Sequence, residues 1–292
     1  MADSSKGLGI VPVVAAAVIA AAAGAGGYHW LMRPSAPPAP ASATRSTAAV
    51  AKPDPAPTPA PAVAPTPEKP KVSEAEALRL KVFAAHGGEK AAAKRALSAA
   101  FASETRDGKV FARGRIWWRA PDARAIEFDV PAGPAGGAAT KHRIVFDGKR
   151  AGFQGGKTVT PELTELMRLD TRFFEPADWA TLYRSVELGG EETLGSEPAL
   201  KVIKVSTGSM RVIDYYATRT SLLVARDTAE YDAGSKSFKA LHLRYSDHRP
   251  VDGIPVPHTI TTLDDSKSVL TVMRLTGFSW DGPIPDGTFT MP

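Results

Sequence analysis

From Lys109 to Val130 oily and charged residues alternate with a period of two, and no other feature narrows the choice of fold as much. Val110, Ala112, Gly114, Ile116 and Trp118 fall on one side of an extended segment, and Arg113, Arg115, Trp117 and Arg119 on the other. After a turn at Ala120-Pro121-Asp122, Ile126, Phe128 and Val130 again oppose Glu127 and Asp129. Strands of this kind have one dry face, which must be buried against helices, a second sheet or a ligand.

The same grammar continues on both sides. Phe101 to Arg106 reads as a strand that turns at Asp107-Gly108. After a Gly/Ala/Pro loop from Pro131 to Thr140, Ile144 and Phe146 resume the apolar face, and Asp147-Gly148 turns the chain into Arg150 to Gln154. Further strands are expected at Ser185–Leu194, Leu200–Ser206, Met210–Tyr216, Ser221–Tyr231 and Ser268–Trp280, with Ile284 to Pro292 as a short tail.

Two segments have helical spacing instead. Leu166 and Met167 share a face with Leu163 over Pro161–Leu169, and Trp179, Leu182, Tyr183 and Val186 share one over Pro176–Leu188. Ahead of the strands, Ser73 and Glu76 have the spacing of a capping box. Leu78 and Val82 share a face of the helix that follows, and Gly87 supplies its left-handed stop. His86 reads as a helix-terminal residue favoured by the dipole. A second short, Ala-rich helix with Lys90, Lys94 and Leu97 is expected next.

The stretch Leu241 to Ile260 is a long hairpin. Leu241, Leu243 and Tyr245 lie on one face and His242 and Arg244 on the other, and Val251-Asp252-Gly253 supplies the reversal. Pro255 and Pro257 then suit a strand start or edge. This tyrosine-bearing strand, the turn V-D-G-I-P-V-P and the polar strand after it resemble the late hairpin of LolA/LolB-type lipoprotein-sorting proteins. The phrase I-V-F-D-G-K at 144–149 and D-Y-Y-A-T-R-T-S-L-L-V-A-R at 214–226 resemble other hairpins of that family, so the likeness runs over residues 73–292. It implies a mainly β, α+β fold, in which a curved antiparallel sheet, a half-open barrel, is covered by short helices. It also implies that an apolar cavity holds the acyl chains of a lipid or lipoprotein. The residues expected to line that cavity are Ile116, Trp118, Ile126, Phe128, Ile144, Phe146, Leu241, Leu243 and Tyr245. Each serves equally well as ordinary packing.

Two departures from a diffusing carrier stand at the N-terminus. Gly7 to Met32 carries no Asp, Glu, Lys or Arg, and a bilayer core needs roughly 20 apolar residues. Tyr28 and Trp30 end the run where amphipathic rings favour the headgroups. Residues 1–33 therefore read as a membrane anchor, with a signal peptide cleaved near Ala23-Gly24-Ala25 as the competing reading. Pro34 to Val72 holds 12 of the 25 prolines and almost no large apolar residue, so a disordered linker is expected. As polyproline II, at about 3.1 Å per residue, it would reach on the order of 100 Å. It serves as a spacer or, through Pro67 and Pro70, as a docking ligand. The family likeness places such a chain in a bacterial inner membrane, single-pass, with residues 73–292 in the periplasm.

Composition removes several classes of function. There is no cysteine, hence no disulfide, thiolate metal site or lipidated cysteine. Residues before Ser73 carry 6 basic and 3 acidic side chains and the rest 30 and 28, a solvated mixture unlike a nucleic-acid-binding stripe. Ala151 to Thr158, A-G-F-Q-G-G-K-T, is a loose phosphate-loop match, but the helix after it starts at Pro161, beyond the Lys-Thr pair. The histidines after the N-terminal segments, His86, His142, His242, His248 and His258, show no metal-ligand spacing, and no serine sits in a nucleophile elbow. Asp247-His248 reads as an exposed turn, and Glu191-Glu192 and Asp264-Asp265 as solvated corners. No enzyme, cofactor or metal is expected. A non-enzymatic sensor or protein-interaction module of the cell envelope is the alternative to acyl binding.

Overall fold

The computed structural model describes residues 73–131, 138–154, 159, 161–170, 179–232 and 237–292. The expected anchor and linker, and residues 155–158 of the glycine-rich stretch, lie outside the described residues. Among the described residues, no helix is long and apolar enough to cross a membrane.

Two short helices open the domain, α1 (Glu74–Ala85) and α2 (Gly88–Ala92). Ser73 caps α1 by accepting the Glu76 N–H at 3.2 Å. The Glu76 carboxylate pairs with Arg79 instead of returning to Ser73, so half of the expected box forms. Lys94 and Leu97 fall outside α2, and Leu97 starts the sheet.

Twelve antiparallel strands follow: β1 (Ala96–Thr105), β2 (Val110–Arg119), β3 (Ala123–Val130), β4 (Thr140–Phe146), β5 (Ala151–Phe153), β6 (Tyr183–Leu194), β7 (Glu197–Ser206), β8 (Arg211–Ala217), β9 (Leu223–Asp232), β10 (Ser237–Val251), β11 (Ile254–Leu263) and β12 (Val269–Trp280). They form one open sheet, β5-β4-β3-β2-β1-β12-β11-β10-β9-β8-β7-β6. Every neighbour is a hairpin partner except β1 and β12, the first and last strands, which meet in the middle. Asp281, just past β12, clasps that seam by accepting the Arg95 and Ala96 N–H groups at 2.7 and 3.1 Å. The β10–β11 reversal falls on Asp252 and Gly253, both at positive φ (51° and 75°), as a two-residue hairpin requires.

The two free edges, β5 and β6, are consecutive strands joined through α3 (Pro161–Asp170). Over its described residues, 179–188, the helix expected over Pro176–Leu188 does not form. Trp179–Thr181 makes one 3-10 turn, and β6 is already running at Tyr183. Tyr183 and Val186 instead pair with Ser206 and Lys204 of β7, so ladder hydrogen bonds override the helical spacing. Glu191-Glu192 likewise lies within β6, where Glu192 pairs with Lys201, and Asp247-His248 lies inside β10. Asp264 forms its expected turn, accepting the N–H groups of Ser266 and Ser268.

The outer face is not uniformly wet. Trp117, Ala125 and Val145 are buried there beneath Phe289 of the C-terminal tail. The Arg119 guanidinium lies 4.3 Å from the Phe289 ring centre, and Arg143 donates to Thr288 O at 2.8 Å.

Candidate functional site

The inner face of the sheet is the candidate site, and its rows follow from strand register. Ala99, Ile116, Ile126, Ile144 and Phe153 lie opposite one another across β1 to β5. In the next row Gly114 stands between Phe101 and Phe128. A Cβ there would come within 2.0 Å of Glu127 O and 2.7 Å of Phe128 Cβ, so β2 and β3 approach as they do only because the residue is glycine.

All nine residues expected to line a cavity lie on this face. Eight of them, from Ile116 to Leu243, are at most 7% exposed and belong to a single cluster, and Tyr245 packs at its border. Met167 of α3 and Ala91 of α2 complete that cluster. The wall is therefore covered in this structure, with one methionine of α3 inserted into it.

Strands β6 to β9 turn a different surface inward. Lys204, Asp214 and Arg226 occupy positions that the alternation assigns to the dry side, between Val202, Val212 and Tyr216. The Asp214 carboxylate receives Arg226 at 2.6 and 3.0 Å and Lys204 at 2.9 Å. The Lys204 ammonium donates to Tyr216 Oη at 2.6 Å and lies 4.2, 5.1 and 5.1 Å from the ring centres of Trp179, Tyr183 and Tyr216. It sits in an aromatic cage of its own chain. Burial by itself would raise the Asp214 carboxyl, but the Arg226 and Lys204 charges outweigh it and hold the group well below the usual carboxylate range. The sequence reading missed this trio. Its signal is a charge on the dry parity of three successive strands.

One register row ties the two regions together. It runs Val202–Asp214–Arg226–Leu243–Thr262–Thr271–Thr105 across seven strands, so the ion cluster and the threonines at the seam share a row, parted by Leu243.

Helix α3 bridges the free edges. Met167 enters the apolar cluster while Leu166 and Leu169 enter the cluster over β6 to β8. Glu165 and Arg168, paired at 2.7 Å, latch the helix to the β7–β8 turn: Arg168 donates to Thr207 Oγ1 at 3.0 Å and Glu165 accepts Gly208 N–H at 3.3 Å. On the other side α1 places Leu78 and Val82 on the second cluster. His86 at its end donates from Nδ1 to Val82 O (2.8 Å) and accepts Leu223 N–H at Nε2 (3.2 Å). Its helix-terminal placement is as expected, with a tie to the sheet added. His248 lies near by, and burial together with His86 lowers its pKa to about 4. Among the described residues no group of three His, Asp or Glu is placed to hold a metal ion.

No family model matches the chain, and no curated protein does either. Solved structures do. Its structural neighbours include LolA-superfamily proteins. One is from Nitrosomonas europaea, 13% identical, covering 74% of this chain and 97% of its own, with a TM-score of 0.42. A domain named for outer-membrane lipoprotein sorting, from Vibrio parahaemolyticus, is 10% identical over 73% and 95%, with a TM-score of 0.43. A DUF1329 family protein from Desulfovibrio piger is 13% identical over 73% and 95%, with a TM-score of 0.41. These are similarities in the course of the chain, and no side chain's role follows from them.

Proposed function

We propose that residues 73–292 bind a single long acyl chain, of a lipid or lipoprotein, without chemical conversion. The chain lies along the apolar half of the inner wall in place of Met167, now seated there, and lifts α3 with its Leu166 and Leu169 from the neighbouring cluster. The observation that carries this reading is a largely apolar inner face over β1 to β5, with Arg124 set between Trp118 and Phe146, covered at an open edge by a helix held through a polar latch. Magnitudes favour a long chain. Burying Leu166, Met167 and Leu169 stabilises the closed helix by about 2 kcal/mol each. An acyl chain gains about 0.8 kcal/mol per methylene, so roughly eight carbons match the three α3 side chains and sixteen suffice with a margin. The N-terminal apolar run would tether the domain to a membrane and the Pro/Ala-rich segment would give it reach, with the domain in the periplasm.

The test is photo-crosslinking of the full chain with a 16-carbon acyl probe and mapping of the adducts. Adducts on Ile116, Phe128, Ile144 or Leu241 are the expected result. Adducts confined to the outer face, or none above a short-chain control, would remove the reading. The second reading, an interaction module, is favoured by β6, a twelve-residue strand that ends the sheet and carries mostly exposed side chains. A partner captured through β6 with no acyl probe bound would select it.

A further inference from the structure

Three hydroxyls on the apolar wall have no partner among the described residues. Ser103 Oγ, Thr262 Oγ1 and Thr271 Oγ1 are buried and make no hydrogen bond, and their residues are 1%, 1% and 6% exposed. They are neighbours. Thr262 and Thr271 stand directly opposite on β11 and β12, and Ser103 opposes Met273, one inward position further along β12. Side chains directly opposite have Cβ atoms about 5 Å apart, so one group set between the two threonines meets both hydroxyls. Thr105, next in the same row, differs: its hydroxyl is taken up locally by Asp107 and Lys109 O.

A buried hydroxyl without a partner costs about 1–3 kcal/mol, and valine would fill either threonine's place with a better strand former. The sequence keeps three such groups side by side on an otherwise largely apolar wall. A partner from outside the chain offsets that cost, and an acceptor suits it, since each hydroxyl has one proton to place. An acceptor is singled out because it alone can take the proton of more than one hydroxyl at once, and it need not be charged. The nearest cation in the row, Arg226, lies beyond Leu243 and is committed to Asp214.

We propose that Ser103, Thr262 and Thr271 form a polar subsite that receives the neutral ester or amide carbonyl at the head of the bound acyl chain. This rests on the acyl-binding reading above and adds which end of the ligand is recognised and by what. An acyl ester is therefore preferred over a plain hydrocarbon of the same length, and a free carboxylate gains less because Arg226, the cation of this row, is committed to Asp214.

The experiment uses the full chain and displacement of a fluorescent hydrocarbon probe by methyl palmitate, palmitate or hexadecane. Wild type is expected to prefer the methyl ester over hexadecane by tenfold or more, at about fivefold per hydroxyl. Thr262→Val with Thr271→Val is expected to lose that preference while hexadecane competes as before. Ser103→Ala alone is expected to lose part of it, and serves if the double variant does not fold. Equal competition by ester and hexadecane in wild type, or a preference surviving in the double variant, overturns the subsite and leaves the hydroxyls holding an ordered water only. If wild type does not bind the probe at all, the acyl-binding reading fails and the subsite falls with it.

Discussion

The apolar wall of β1 to β5 and the charged wall of β6 to β9 are built from the same alternating strands, yet they tolerate change very differently. The first is held by dispersion and exclusion of water, which are non-directional, so one hydrocarbon group replaces another at small cost. The second is held by a carboxylate shared between two cations inside an aromatic cage, and no member can leave without stranding charge. An exchangeable half and a fixed half in one sheet suit a binding protein, whose ligand replaces packing on one side while the other keeps the strands in place.

The sharpest way to break this contrast is Asp214→Asn, which swaps a carboxylate for an amide of the same shape. Because Lys204 and Arg226 stay buried, we expect a loss of about 3–5 kcal/mol in urea unfolding. The same trio sets the acid limit. The folded Asp214 pKa lies below its unfolded value of 3.8, so its contribution is fully present above that value and fades as pH falls through the folded pKa. Unfolding free energy should drop steeply below about pH 4 in wild type and less steeply in the variant.

On the apolar side, Gly114→Ala forces a methyl against Glu127 O and Phe128, and about 1–3 kcal/mol should be lost from β2–β3 pairing. Ile144→Val, deleting one methylene from the same wall, should cost only about 0.5–1.5 kcal/mol by thermal unfolding and leave acyl binding intact. An effect there as large as that of Asp214→Asn would erase the distinction between the halves. The smallest effect concerns His248. Its folded pKa of about 4 lies below the ordinary 6.5, so the unfolded chain takes the proton first and stability declines as pH falls from 6.5 to 4. His248→Gln should flatten that decline, read as unfolding midpoint against pH.

Much of the fold was legible because the apolar half obeys one rule. Alternation places Ile116, Ile126 and Ile144 on one face, and the register then sets them side by side. The charged half was not read, because Lys, Asp and Arg side chains are ordinarily left in solvent, although alternation puts Lys204, Asp214 and Arg226 on the dry side. Only pairing across β7, β8 and β9 brings the three into one ion cluster. The Pro176–Leu188 helix failed for a related reason: its spacing was local, and the β7 ladder that claimed Tyr183 and Val186 was not. The tail was legible only as a segment, since nothing in Phe289 itself announces that it covers Trp117. The hydroxyls at Ser103, Thr262 and Thr271 look like ordinary strand residues until their neighbours are known.

The central claim is that long acyl chains displace α3 from the apolar wall, and calorimetric titration of the full chain with acyl esters of 6 to 18 carbons tests it most directly. The account predicts no detectable binding for the shortest, saturable one-to-one binding that sets in at roughly eight carbons, and a negative heat-capacity change that grows with length. Affinity independent of chain length, or no saturable binding at sixteen carbons, would contradict it.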